Sequence, residues 1–165
     1  MKIIIIRHGK VNYKWSKWCT SDEFDKECSD YDNAPLEHME QDSHKTTYEH
    51  IYTSTLPRSK NTAISLFGEK NLIQTEWIDE VPLKSSLYTK VRLPVWFWNL
   101  TGRLQWFFNN SRQIEGRLCT ENRARKFVEM LCKDEIDSAV VTHGFYMHTL
   151  LRELKLAKGC QEKLY

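Results

Sequence analysis

Arg7, His8, Arg58 and His143 are the residues of this chain whose types and settings suit chemistry on an oxyanion. Each histidine is followed by glycine, in Arg7-His8-Gly9 and Thr142-His143-Gly144, and glycine lets the backbone approach a bound anion closely. Arginine presents a planar fork that donates two parallel hydrogen bonds to neighbouring oxygens, so it fits a phosphoryl group better than an ammonium does. Cations beside an imidazole lower its pKa and keep it neutral and nucleophilic. Burying this much positive charge with no anion is costly, so the four residues together point to a phosphate pocket. Asn12 and Ser54 are weaker candidates for phosphate contacts.

Convergence of these residues depends on the elements that carry them. Ile3 to Ile6 are four β-branched apolar residues in a row, which suits a strand buried on both faces of a parallel sheet. His50 to Ser54 and Ser138 to Thr142 read as two more such strands. Pro57 opens a helix that runs to Phe67 and stops at Gly68. Glu121 to Cys132 places Ala124, Phe127, Val128, Leu131 and Cys132 on one helical face, and Phe145 to Leu156 reads as a further helix. Strands alternating with helices at this spacing predict an α/β sandwich around a largely parallel sheet. Ligands bind such sheets beyond the carboxyl ends of the strands, where Arg7, His8, Ser54, Arg58 and His143 arrive together. The helix after His143 adds N–H groups and a partial positive charge at its start.

Two stretches do not fit this alternation. Trp15 to Asn33 is acidic and aperiodic and reads as a long loop with at most a short helix. Residues 83–112 combine Trp96, Phe97, Trp98, Trp106, Phe107 and Phe108 with Lys84, Lys90, Arg92, Arg103 and Arg112, and read as an insert. Pro94 opens a helix there in which Trp96, Leu100, Leu104, Phe107 and Phe108 share a face, with plain packing the favoured role and a substrate wall or an interface the alternatives.

Composition narrows the classes. The 165 residues are 41% hydrophobic and 28% charged, enough for one domain over 1–165 with a real core. A net charge of +2 is far short of a nucleic-acid binder's footprint. The opening apolar run of four residues is too short for a signal peptide, and no stretch is long enough to span a membrane, so a cytoplasmic protein without stable membrane insertion is expected. Five cysteines, odd in number and without a C-x-x-C pair, suggest idle thiols and no zinc site. His38, His44, His50 and His148 have no supporting context and read as surface or structural groups.

Three ordered segments, R-H-G after the first strand, T-S-T-L-P-R-S-K-N-T-A midway and V-V-T-H-G-F-Y-M-H near the end, resemble the histidine phosphatase (phosphoglycerate mutase-like) superfamily. The resemblance covers roughly residues 1–12, 50–80 and 120–154. It implies a phosphoglycerate mutase-like three-layer sandwich and a phosphomonoester hydrolase acting through a phosphohistidine, with no metal or other cofactor. His8 matches the histidine that is phosphorylated, Arg7 and Arg58 the phosphate-pocket arginines, and protonated His143 the second pocket histidine. The family's general acid falls on Asp79-Glu80, and alternation along an extended chain lets only one of the two face the pocket; Glu80 is the choice.

Two departures bear on the substrate. Lys10-Val11-Asn12 replaces the acidic or polar residue and threonine that usually follow R-H-G, and Val81-Pro82-Leu83 replaces a glycine-rich signature after the acid. The expected substrate is a phosphorylated small molecule or phosphopeptide. The alternatives are a phosphate or phosphoprotein binder without catalysis and, less favoured, a phosphomutase.

Overall fold

Ile3 and Ile5 pack on one face of a sheet and Ile4 on the other, as alternation along a strand requires, and all three are buried. They belong to β1 (Lys2–Arg7) in a computed structural model that describes residues 1–37, 48–157 and 161–164. The chain continues through β2 (Trp18–Cys19), α1 (Ser21–Asn33), β3 (His50–Thr53), α2 (Pro57–Phe67) and β4 (Leu72–Gln74). A 3-10 turn at Glu76–Ile78 leads to β5 (Leu93–Pro94), α3 (Val95–Phe107), α4 (Arg117–Asp134), β6 (Ser138–Thr142), α5 (Gly144–Leu156) and β7 (Gln161–Leu164).

Five strands form a parallel sheet in the order β4-β3-β6-β1-β7. On one face α4 and α5 bury Phe127, Leu131, Tyr146 and Leu150 against Ile3, Ile5, Tyr52 and Val140. On the other, Ala63 of α2 packs with Ile4, Ile51, Ala139 and Val141. The result is the expected helix-sheet-helix sandwich. The strands β4 and β7, at the two edges of the sheet, were not legible from the apolar pattern.

Gly68, with φ of 80°, closes α2 where its sequence predicts. Helix α4 starts four residues before the predicted Glu121 and runs to Asp134. The larger correction is α1, a 13-residue helix where a long loop with a short helix at most is expected. Its start is a capping box: the Thr20 hydroxyl accepts from the Glu23 N–H at 3.3 Å, and the Glu23 carboxylate accepts from the Thr20 N–H at 2.8 Å. Phe24 is its one fully buried apolar anchor, so the helix has no apolar stripe to announce it.

Helix α3 follows Pro94 as expected, but the face shared by Trp96, Leu100, Leu104, Phe107 and Phe108 is exposed. Trp98 and Gly102 are its buried residues instead. Trp98 stacks on Phe24 and donates from Nε1 to the Cys19 carbonyl at 3.1 Å, which fixes α3 to β2 and α1. A Cβ at Gly102 would lie 2.6 Å from Leu83 Cδ1 and 3.2 Å from the Lys84 carbonyl oxygen, so glycine eases the close packing of α3 on the 83–84 segment. Among the cysteines, Cys19, Cys28 and Cys119 are free, whereas Cys132 is disulfide-bonded, against the expectation of idle thiols throughout. Pairing is set by tertiary proximity, which spacing along the chain does not reveal. No helix among the described residues is long and apolar enough to cross a membrane.

Candidate active site

His8 stands one residue beyond the end of β1, tied to β6 by its N–H, which donates to the Thr142 carbonyl at 2.9 Å. The next N–H, of Gly9, donates to Thr62 Oγ1 of α2 at 2.9 Å, so the sheet and one helical layer both hold this turn. His8 Nδ1 lies 2.7 Å from the Gly9 carbonyl oxygen. A carbonyl can only accept, so Nδ1 carries the proton and Nε2 of the neutral ring carries the lone pair. The His8 pKa is lowered to about 4, chiefly because burial penalises the imidazolium; Arg58 and Arg7 add to this, and the Gly9 hydrogen bond opposes it. Burial therefore outweighs the neighbouring cations that the sequence reading credits.

Arg58 enters from the first turn of α2 and is almost wholly buried. Its Nε donates to His143 Nδ1 at 3.2 Å, a second guanidinium nitrogen donates to Asp32 Oδ1 at 2.9 Å, and the guanidinium lies 5.0 Å from the centre of the Tyr31 ring. Acceptance at Nδ1 settles the His143 tautomer: Nε2 bears the proton and donates to Ser54 Oγ at 2.6 Å. His143 has no exposed surface, and burial, then Arg58, lowers its pKa to about 2. The expected protonated His143 is thus corrected to a neutral ring 4.9 Å from His8, which positions Arg58. Ser54 is buried behind His143 and serves that ring, while Asn12 is exposed and donates its backbone N–H to Pro35.

Asp79 and Glu80 follow the 3-10 turn and lie outside any strand, yet they diverge as the alternation argument requires. The Asp79 carboxylate turns to the backbone N–H and hydroxyl of Thr55, at 2.7 and 2.5 Å, and burial raises its pKa. Glu80 faces the cleft and sits on the start of α5. Its Oε1 accepts from the N–H groups of Val81 at 2.9 Å and Tyr146 at 3.0 Å, and Oε2 has one longer contact, 3.4 Å, from Phe145 N–H. Glu80 occupies two of the helix N–H groups that the sequence suggests for phosphate. Oε2 is the oxygen left with capacity for a proton.

Arg7 lies against Gly144, the first residue of α5: a Cβ there would sit 2.9 Å from Arg7 Nε. The Gly144→Ala variant should fold normally, because the obstructed atoms end a flexible side chain, while displacing the guanidinium. We expect kcat/KM for p-nitrophenyl phosphate to fall roughly 10-fold with unchanged thermal unfolding, measured by steady-state kinetics and circular dichroism.

These residues open onto a cleft of about 690 Å³. Its floor is Arg7, His8, Arg58, Glu80 and Gly144. Helix α1 and the segment before it supply Trp15, Cys28, Tyr31 and Asp32, and α3 supplies Val95, Asn99 and Arg103. Phe145 and His148 complete it from α5. Sequence reasoning missed Asp32 and His148 as cleft residues and placed Arg103 only in the basic insert; for His148 the available signal was its place one helical turn after Gly144. His50 pairs with the Tyr52 hydroxyl, away from the cleft, and His38 and His44 lie outside the described residues. Burial and nearby Asp25 and Asp32 raise the Cys28 thiol to about 12, so it is no thiolate nucleophile. Among the described residues no group of three or more His, Cys, Asp or Glu could hold a metal ion.

The family model for the histidine phosphatase superfamily (branch 1) matches residues 3–160. No curated protein matches the chain. Solved structures of similar fold include a putative α-ribazole-5'-P phosphatase from Escherichia coli, with a TM-score of 0.58, 15% identity, and coverage of 96% of this chain and 80% of that one. A phosphoserine phosphatase from Entamoeba histolytica in complex with 3-phosphoglyceric acid gives a TM-score of 0.55 at 18% identity, covering 94% of this chain and 81% of that one. A mutant of that phosphatase in complex with phosphoserine gives 0.56, with the same identity and coverage. At these identities the likeness is one of fold.

Proposed function

The chain belongs to the histidine phosphatase superfamily, and from that membership and the cleft geometry we propose that it hydrolyses phosphomonoesters through a phosphohistidine on His8, without a metal. The observation that carries this reading is the state of His8: neutral, with its tautomer fixed by Gly9 so that Nε2 holds the lone pair.

In the first step His8 Nε2 forms a bond to phosphorus as the bond to the leaving oxygen breaks, and Glu80 Oε2 gives that oxygen its proton. In the second, water attacks the phosphorus, Glu80 takes a proton from the water, and the N–P electron pair returns to His8. Arg7 and Arg58 stabilise charge on the equatorial oxygens, work that a metal ion does in other phosphoryl transfers. His143 accepts from Arg58 and is neutral in the empty cleft, so its part is to hold Arg58 in place. The substrate is a phosphorylated small molecule or peptide, and Glu80 Oε2, whose contact with the Phe145 N–H is long at 3.4 Å, favours turnover over mere binding.

Turnover of p-nitrophenyl phosphate with and without chelator, from pH 3.5 to 8, tests the reading. Because His8 loses its proton at about 4, the acid limb of kcat/KM should lie near that value, well below the ordinary histidine range. Stability should follow the same sign. Between the ordinary value of 6.5 and about 4, the unfolded chain binds protons at His8 and His143 that the folded chain does not. The folded state is therefore favoured fully above pH 6.5 and loses stability as pH falls through this window, which thermal unfolding at pH 4.5 and 7 will show. An acid limb at pH 6 to 7 would contradict the His8 assignment.

A further inference from the structure

The most apolar side of α3 is turned to solvent. Trp96, Leu100, Leu104 and Phe107 recur at helical spacing, and each is between 47% and 65% exposed. Trp98 and Gly102 on the other side anchor the helix, so this exposure does not come from loose packing. The row continues past both helix ends. Trp18, paired with Pro94 across β2 and β5, is exposed before the helix. Phe108 is exposed after it, and so is Leu118, whose N–H donates to Asn109 Oδ1 at 2.8 Å. Single apolar side chains are ordinary on a protein surface, but a contiguous row marks a place of contact.

The charges around this row have one sign. Between Glu80 and Glu115 the chain has no acidic residue, while Lys84, Lys90, Arg92, Arg103 and Arg112 fall within it. Because the whole chain holds 24 basic and 22 acidic residues, everything outside this stretch is acidic in balance. At the start of α3 the Lys17 carbonyl accepts from the Val95 N–H at 3.1 Å, and Arg92 donates to the Trp18 carbonyl at 3.0 Å. At its end the Arg117 guanidinium lies 4.5 Å from the centre of the Phe107 ring. Arg92 and Arg117 each pair with one glutamate at 3.4 Å, Glu23 and Glu121. Lys17 and Lys90 are exposed and form no ion pair among the described residues.

We propose that this face of α3 docks reversibly on a lipid bilayer that carries anionic headgroups. The helix lies along the surface, with Trp96, Leu100, Leu104 and Phe107 entering the boundary between headgroups and acyl chains and the cations meeting the lipid charges. Its 13 residues reach only about 20 Å, too short to cross the roughly 30 Å hydrocarbon layer. Charge complementarity selects this occupant over a second copy of the chain, which would set two basic, acid-free stretches against each other. Val95, Asn99 and Arg103 of the same helix line the cleft, so docking holds the cleft mouth beside the headgroup layer. The inference does not depend on catalysis.

The experiment is co-sedimentation of the full chain with vesicles of phosphatidylcholine, with and without about one-third phosphatidylglycerol. Binding should be at least about 10-fold tighter to the anionic vesicles and should weaken as salt is added. Tryptophan emission should move to shorter wavelength and be quenched by bromine placed on the acyl chains near the headgroups. The Leu100→Gln/Leu104→Gln variant should bind at least about 10-fold more weakly. The Lys17→Gln/Lys90→Gln variant should lose about 20-fold on anionic vesicles and little on neutral ones. Both lysines are exposed, so this second pair keeps the test decisive if the leucine pair does not fold. Neither pair lines the cleft, and turnover of soluble p-nitrophenyl phosphate should match wild type in both. A wild type with no preference for anionic vesicles would overturn the inference, as would undiminished binding by both variants. So would a wild type that ignores vesicles and sediments as a dimer that Leu100→Gln/Leu104→Gln separates, because a second copy would then cover this face.

Discussion

Replacing His8 with alanine lowers kcat for p-nitrophenyl phosphate by at least about four orders of magnitude, because the variant has no nucleophile and water must attack the phosphorus directly. Neither Cys28 nor His143 takes over. Cys28 is held as a thiol, and both nitrogens of His143 are committed, one to Arg58 and the other to Ser54. The variant should fold, since His8 lies beyond the end of β1 and its main-chain hydrogen bond to Thr142 does not involve the ring. It should also lose less stability between pH 7 and pH 4.5 than wild type, having shed one of the two histidines that resist protonation. Rapid kinetics on the purified variant, with circular dichroism as the control for folding, checks both statements.

The Arg58→Ala variant should lose roughly three orders of magnitude in kcat/KM, the scale seen when a preorganised charge-stabilising donor is removed. Arg58 differs from His8 in also carrying structure. Its guanidinium joins α2 to α1 through Asp32 and holds His143 in one tautomer. Because Asp32 is 42% exposed, solvent compensates part of the broken pair, and we expect a stability loss of about 2 kcal/mol by urea unfolding, less than for a fully buried pair. Arg58→Lys should rescue little. An ammonium cannot donate from two fixed positions to His143 and Asp32 while facing a phosphoryl oxygen.

The parts of this site that follow strands directly were legible in the sequence. Four isoleucines define β1, five small and β-branched residues define β6, and the residues next in the chain, Arg7, His8 and His143, had to emerge at the same edge. Pro57 and Gly68 likewise bound α2 and so place Arg58. What could not be read was the cover over that edge. Helix α1 is held by a cap and by Phe24 rather than by an apolar stripe, so Asp32 and Tyr31 had no visible route to Arg58. The orientation of α3 was hidden for a related reason: its most apolar face is turned to solvent, while Gly102 and Trp98 decide its packing and thereby aim Arg103.

Protonation states were the other blind spot. His143 was expected to be charged because it belongs with phosphate, but a ring with no exposed surface beside an arginine is neutral. Its contribution then shifts from direct charge to holding Arg58. For His8 the expected direction was right and the weighting was not: burial leads, and the two arginines follow. Both corrections depend on depth beneath the surface, which no local pattern in the chain records.

The central claim is that His8 carries the phosphoryl group between the two steps. Its most direct test is to mix the enzyme with a phosphomonoester labelled in its phosphoryl group, quench within milliseconds in alkali, and locate the label by peptide mass spectrometry. The label should appear on the peptide containing His8, remain in alkali, leave in acid, and be absent from the His8→Ala protein. Turnover that proceeds with no label on His8, or a label that survives acid on another residue, would contradict it.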